Sequence, residues 1–125
     1  MATCSSSTLE KWVIGADKKP KFVIKNKTLT ANIALSVFSG YGVIIYYPEG
    51  SEMGRFGINL AGFSNTEVHL VDAYTFEIAL DKSLNTQTGT YKYRIYTVWA
   101  DSAFADSGYD AFNDDREELY DSVEQ

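Results

Sequence analysis

The chain has 125 residues, with 11 Lys and Arg against 17 Asp and Glu, for a formal net charge of −6. A hydrophobic fraction of 45% is too high for a disordered chain, and the length suits one domain that buries roughly two-thirds of its unfolded surface. The acidic balance argues against a general nucleic-acid binder, whose affinity for phosphate needs net Lys and Arg.

Residues 1–8 read as a flexible lead-in, and Met1 to Leu9 lack the basic and apolar regions of a signal peptide. The single cysteine, Cys4, forms no intrachain disulfide. From residue 9 to 100 apolar and polar residues alternate with period two, the mark of half-buried strands. Trp12 and Ile14 flank Val13; Phe22 and Ile24 sit among Lys21, Val23 and Lys25. Ile33, Leu35 and Val37 alternate with Ala34 and Ser36, and a strand is expected there. Val43 to Tyr47 is apolar on both faces, which suits an interior strand and is far short of the roughly 20 residues that span a bilayer. Pro48-Glu49-Gly50 then reads as a turn.

Phe56, Ile58 and Leu60 continue the pattern, followed by Val68 and Leu70, then Phe76, Ile78 and Leu80. Val71-Asp72-Ala73 is a hairpin link. In Gly89 to Trp99, Tyr91, Tyr93, Ile95 and Trp99 point one way and Lys92, Arg94 and Tyr96 the other. Strands recurring at this spacing without a helical period imply antiparallel pairing and an all-β, two-layer antiparallel β-sandwich; a small closed barrel is the alternative.

Charge divides sharply after residue 100. Residues 101–125 hold nine acids and one base, net −8, while residues 1–100 hold ten bases and eight acids, net +2. The chain thus reads as a near-neutral sandwich, 9–100, followed by an acidic, partly irregular C-terminal tail, 101–125. Within the tail, Asn113 with Asp114, Asp115 and Glu117 has the composition of a helix start, so a helix over 113–121 is expected.

Catalytic chemistry has little to work with. His69 is the only histidine, in a strand pattern opposite Val68 and Leu70, where it faces solvent. No phosphate-binding glycine loop, dinucleotide fingerprint or HExxH is present, and Asp110 to Asp121 lacks the alternating acids and central glycine of a calcium loop. No catalytic, metal or cofactor-binding residue is assigned.

Two features point to contacts instead. Lys18, Lys19, Lys21, Lys25 and Lys27 form a basic strip, either an edge strand guarded against aggregation or a receiver for the acidic tail of the same or a neighbouring copy. Of the nine tyrosines, Tyr46, Tyr47, Tyr96 and Tyr109 either exceed what one small core hides and mark an interface, or serve as cross-strand pairs within the sandwich. The candidate interface therefore comprises Lys18, Lys19 and Lys21, the aromatics Tyr46, Tyr47, Tyr96, Tyr109 and Phe112, and the acids Asp114 and Asp115. Trp12, Trp99 or the same tyrosines could instead stack on a sugar ring.

The runs Lys11–Asp17, Gly42–Tyr47, Arg55-Phe56, Tyr74–Ile78 and Thr88–Ile95 together resemble small immunoglobulin-like β-sandwich proteins of tailed bacteriophages. These include the amino-terminal domain of baseplate upper proteins and head-fibre or tail-accessory proteins of Bacteroides phages. The resemblance covers residues 11–99 and implies a virion structural part, made in the host cytoplasm. It implies a protein that is not an enzyme, working in multiple copies against other virion proteins; that no cofactor, nucleic-acid or membrane partner is expected rests on the missing motifs, the acidic balance and the short apolar runs. The alternative is a carbohydrate-binding module recognising host-surface glycans.

Overall fold

Period-two patterning becomes strand through most of the chain. The computed structural model describes residues 10–25, 31–99, 109–111 and 116–123. Among them run β1 (Glu10–Val13), β2 (Lys21–Val23), β3 (Phe38–Tyr46), β4 (Glu52–Ile58), β5 (Val68–Leu70), β6 (Thr75–Ile78), β7 (Gly89–Trp99), β8 (Tyr109–Ala111) and β9 (Glu117–Val123). The larger sheet has the order β1-β9-β7-β3-β4, with β8 paired to β7, and the smaller has the order β2-β6-β5. Rings bridge the two: Phe22 of β2 meets Tyr93 of β7 at 5.1 Å between centroids, and Phe76 of β6 meets Tyr41 of β3 at 5.1 Å. The architecture is all-β, two sheets enclosing one apolar core.

β3 lies between β7 and β4, as its two apolar faces predict. The turn after it is closed by Gly50 N–H donating to the Tyr47 carbonyl at 2.9 Å, with Gly50 at φ 109°, a conformation that glycine adopts without a Cβ penalty. The β5–β6 link is a hairpin in which the Asp72 carboxylate accepts from Tyr74 N–H at 2.8 Å. β2 is an edge strand and carries Lys21, consistent with the lysine-guarded reading.

Three expectations need correction. The segment at 33–37 is not a strand; Leu35–Val37 is a 3₁₀ turn. Its backbone bonds are local or reach the hairpin, with Val37 N–H donating to Ala34 and Leu35 N–H to Ala73, because here the chain crosses from one sheet to the other. Pairing is not wholly antiparallel, since β1 runs parallel to β9, from Glu10 opposite Tyr120 to Val13 opposite Val123. A parallel pair needs a long crossover, and the whole body of the chain supplies it. Nor is Glu117–Asp121 helical. It belongs to β9, where Tyr120 and Ser122 are buried in alternation. Pairing on both flanks outweighs the local helix-start signal. Asn113, Asp114 and Asp115 lie outside the described residues. The acidic stretch thus delivers an interior strand of the larger sheet.

The core at this end is built on Trp12, which is fully buried. Its ring lies 5.2 Å from Tyr91 and 5.9 Å from Tyr120, and Nε1–H donates to the Ala16 carbonyl at 2.7 Å. Beside it, Asn85 Nδ2 donates to the Trp12 carbonyl at 2.9 Å, and Ser122 Oγ donates to Asn85 Oδ1. Asn85 and Ser122 are both 3% exposed, so this triad satisfies buried polar groups that would otherwise cost stability. It ties β1, β9 and the β6–β7 connection together.

Candidate functional site

Among the described residues, the side of the larger sheet turned away from the core gathers the arginines and several rings. Register arranges it in three rows across β7, β3 and β4. In the first, Gly42 stands opposite Tyr96 on one side and Gly57 on the other. A Cβ on Gly42 would lie 3.0 Å from Leu60 Cδ1, and one on Gly57 3.2 Å from it. The paired glycines make the seat on which Leu60 folds back over the sheet. In the second row, Ile44 stands between Arg94 and Arg55. Ile44 is 3% exposed yet lies outside the apolar core cluster, and the register sets the two arginine stems on its flanks. In the third, Tyr46 stands between Lys92 and Glu52.

Every arginine in the sequence belongs to this face, and each lies against a ring. Arg55 is 5.7 Å from the Phe63 centroid, Arg94 is 5.7 Å from Tyr96, and Arg116, just before β9, is 3.6 Å from Tyr46. Phe63 and Tyr96 also lean on each other at 6.2 Å and 58°. Arg116 Nη1 donates to the Gly50 carbonyl at 2.7 Å, holding the start of β9 against the β3–β4 turn. Arg55 Nε donates to Glu52 at 2.9 Å; both side chains are substantially exposed, so that pair adds little stability. A cation over a ring contributes about 0.5–1 kcal/mol when exposed and about 2 when desolvated. Arg116 lies closest to its ring but is itself exposed, as is Arg55, whereas Arg94 is half-buried, so each contact belongs at the lower end of that range.

The lysines are distributed differently. Lys18, Lys19 and Lys21 approach or enter β2 of the smaller sheet, and Lys21 stands opposite Glu77. Lys18 pairs its backbone with Leu80 and sets Nζ 5.3 Å from the Tyr120 ring. The lysine strip therefore touches the acidic stretch through an aromatic ring of β9. Lys27 lies outside the described residues.

The tyrosines named in the sequence separate by face. Tyr46 and Tyr96 belong to the arginine face, though Tyr46 is only 7% exposed beneath Arg116 and offers no free ring. Tyr47 turns the other way, packing on the core 5.8 Å from Tyr91. The backbone of Tyr109 pairs with Val98 in β8, whereas Phe112, Asp114 and Asp115 lie outside the described residues. His69 is exposed opposite Glu77. Trp12, being fully buried, cannot stack on a sugar. Arg55, Arg94, Arg116, Ile44, Leu60 and Phe63 were not indicated by the sequence reading. The one signal that bears on them is glycine at both 42 and 57 inside strand patterns, which marks a close approach.

Several ionisable groups are shifted. Burial raises the Tyr93 phenol above its usual value, with Glu117 adding to the effect. Burial likewise raises Tyr41 and Tyr91. Asp121 is lowered, first by the Thr90 hydroxyl at 2.8 Å and then by Lys11 at 3.2 Å. Among the described residues no three His, Cys, Asp or Glu converge as a metal site, and no helix is long and apolar enough to cross a membrane. No protein-family model matches the chain, and no curated protein matches it.

Proposed function

We propose that this chain is a non-enzymatic structural or adaptor module of a phage particle, with an immunoglobulin-like sandwich. It docks to a larger virion component through the outer face of the larger sheet and associates with further copies of itself. The observation that carries the docking reading is the gathering of all three arginines onto one face, each against an aromatic ring. Arg and Tyr are the residue types most enriched where binding energy concentrates, and Lys is depleted there. Here Arg55, Arg94 and Arg116 share that face while Lys18, Lys19 and Lys21 guard the smaller sheet. The virion setting is supported by the resemblance over residues 11–99.

The test is chemical cross-linking and mass spectrometry on particles purified from the host that encodes the chain. The module is expected as a particle component, with cross-links running from Lys92 and the β3–β4 turn to a larger virion protein. A chain absent from the particles, or present with no cross-link from this face, overturns the reading.

A further inference from the structure

Resting on the proposed self-association, we infer that two copies pair through the outer edge of β5, antiparallel and about a two-fold axis at Leu70. Four strands end the two sheets, β1 and β4 in the larger and β2 and β5 in the smaller. Three of them are covered or blunted against a further strand. Beside β4, Ser64 N–H donates to the Arg55 carbonyl and Gly57 N–H to the Ser64 carbonyl, both at 2.9 Å, so a loop already lies on that edge. β1 carries Lys11 and ends in a turn, where Ala16 N–H takes the Val13 carbonyl at 3.0 Å. β2 follows Lys18, Lys19 and Pro20 and opens with Lys21. β5 carries no lysine, proline or bulge.

The β5 edge is open where it is apolar. Val71 N–H donates to the Thr75 carbonyl at 2.9 Å and Ala79 N–H to the Glu67 carbonyl at 2.8 Å, so the backbone groups of positions 67, 69 and 71 face β6. The Leu70 N–H and C=O therefore point out of the sheet, and no described residue takes them. The Leu70 side chain has the parity of the buried Val68 yet is 65% exposed. Val71 and Tyr74 are each 46% exposed, and Val37 is 42% exposed on the 3₁₀ turn that Leu35 N–H ties to the Ala73 carbonyl at 3.0 Å. Four of the five large hydrophobic side chains exposed among the described residues thus gather around one hairpin, as at a contact surface.

The edge also matches itself. Antiparallel pairing centred on Leu70 sets that residue opposite its copy, each N–H donating to the other carbonyl. His69 then stands opposite Val71 and Glu67 opposite Ala73, so no like charges face each other. The two Leu70 side chains cover one another and leave water. This agreement in hydrogen bonds, charge and apolar contact selects a second copy as the occupant. The contact is isologous, so it closes as a dimer, and the lysines at β2 keep the joined sheet from growing at its far edges. A ladder over residues 67–71 falls well below the about 800 Å² per partner of a stable complex. The dimer is therefore weak in solution, and an array of copies on a particle supplies the effective concentration it needs.

The experiment is sedimentation equilibrium of the full chain up to about 1 mM, where a monomer–dimer equilibrium with a dissociation constant on the order of 0.1 mM is expected. Leu70→Lys places two ammonium groups at the axis and should leave only monomer, with near-UV circular dichroism checking the fold. A second measurement fixes the register in a Cys4→Ser background. Leu70→Cys sets the two Cα atoms about 5.5 Å apart, within reach of a disulfide, whereas Glu67→Cys sets them about 20 Å apart. Fast oxidation to a covalent dimer is expected for the first and not for the second. A parent chain that stays monomeric, a dimer that survives Leu70→Lys, open-ended oligomers, or equal oxidation of the two cysteine variants each overturn the inference. So do carboxyl-directed cross-links in particles that run from Glu67 or Asp72 to a larger protein. A monomeric chain that is still cross-linked in particles through Lys92 sinks the dimer and leaves docking intact. A dimer in solution from a chain absent from particles sinks the virion reading and leaves the β5 contact standing.

Discussion

Ending the chain at Asp115 removes Arg116 and all of β9, and the consequence can be worked from the strand order. β9 lies between β1 and β7, and β1 has no other neighbour in the sheet. The deletion therefore costs the burial of Tyr120, 3% exposed, and releases β1 with the fully buried Trp12. Each ring buries about 150–250 Å², which at about 25 cal/mol per Å² corresponds to roughly 4–6 kcal/mol apiece as an upper estimate. Asn85 also loses Ser122 and is left with an unpaired buried oxygen, about 1–3 kcal/mol more. Those losses together match the whole stability of a domain, about 5–15 kcal/mol. The truncated chain should show no cooperative urea transition and a tryptophan emission shifted toward that of exposed indole. A truncated chain that unfolds cooperatively at the parent midpoint would refute the argument and make the acidic stretch a dispensable appendage.

Three further outcomes follow from the same contacts. Gly42→Ala places a Cβ 2.5 Å from the Phe56 carbonyl oxygen and 2.8 Å from Gly57 Cα, both backbone atoms, so the β3–β4 pair must spread. A loss of about 1–3 kcal/mol is expected in urea unfolding, and an unchanged midpoint contradicts the register. Asn85→Ala and Ser122→Ala should each cost about 1–3 kcal/mol, and the double variant less than their sum, because both remove one shared hydrogen bond; strict additivity in a double-mutant cycle counts against the triad. Asp121 has a folded pKa below its unfolded value, chiefly through Thr90, so its contribution is present above the unfolded carboxyl range and fades as pH falls through the folded value. Thr90→Val should lower stability at neutral pH, with parent and variant converging in acid; parallel stability curves from pH 7 to 2 would show that the pair does not titrate as described.

Much of the fold was legible because its strands announce themselves locally. Val43 to Tyr47 carries apolar residues on both faces and proves interior; Gly89 to Trp99 alternates cleanly and pairs on both sides. What failed was what depends on distant partners. Ile33, Leu35 and Val37 alternate as strand residues do, yet the chain there is passing between sheets, and only Leu35 is buried. In β9 the buried pair Tyr120 and Ser122 includes a serine, is split by Asp121 and follows Glu117 and Glu118, so composition hides a short two-residue period. Its partner β1 begins 110 positions earlier at the Lys11–Asp121 contact, beyond any local signal.

The arginine face was illegible for a related reason, and its origin lies in the core. Positions 55, 94 and 116 share no spacing that a motif would show. They converge because Ile44 pairs with both Arg55 and Arg94, and because β9 begins beside the β3–β4 turn. Parity fixes the rest. In β3 and β7 the odd positions Val43, Ile45, Tyr93 and Ile95 pack inward, which leaves Ile44, Tyr46, Arg94 and Tyr96 outward. A slip of one residue between these strands would exchange the two sets, burying Arg94 and exposing Ile95. The desolvation of an unpaired arginine makes that register prohibitive. The same apolar residues that drive folding thus hold the arginines in one plane, and the surface is rigid because the core beneath it permits a single alignment. Side chains carried in this way on paired interior strands are placed by the core itself, so under the docking proposal little ordering entropy would be lost on contact.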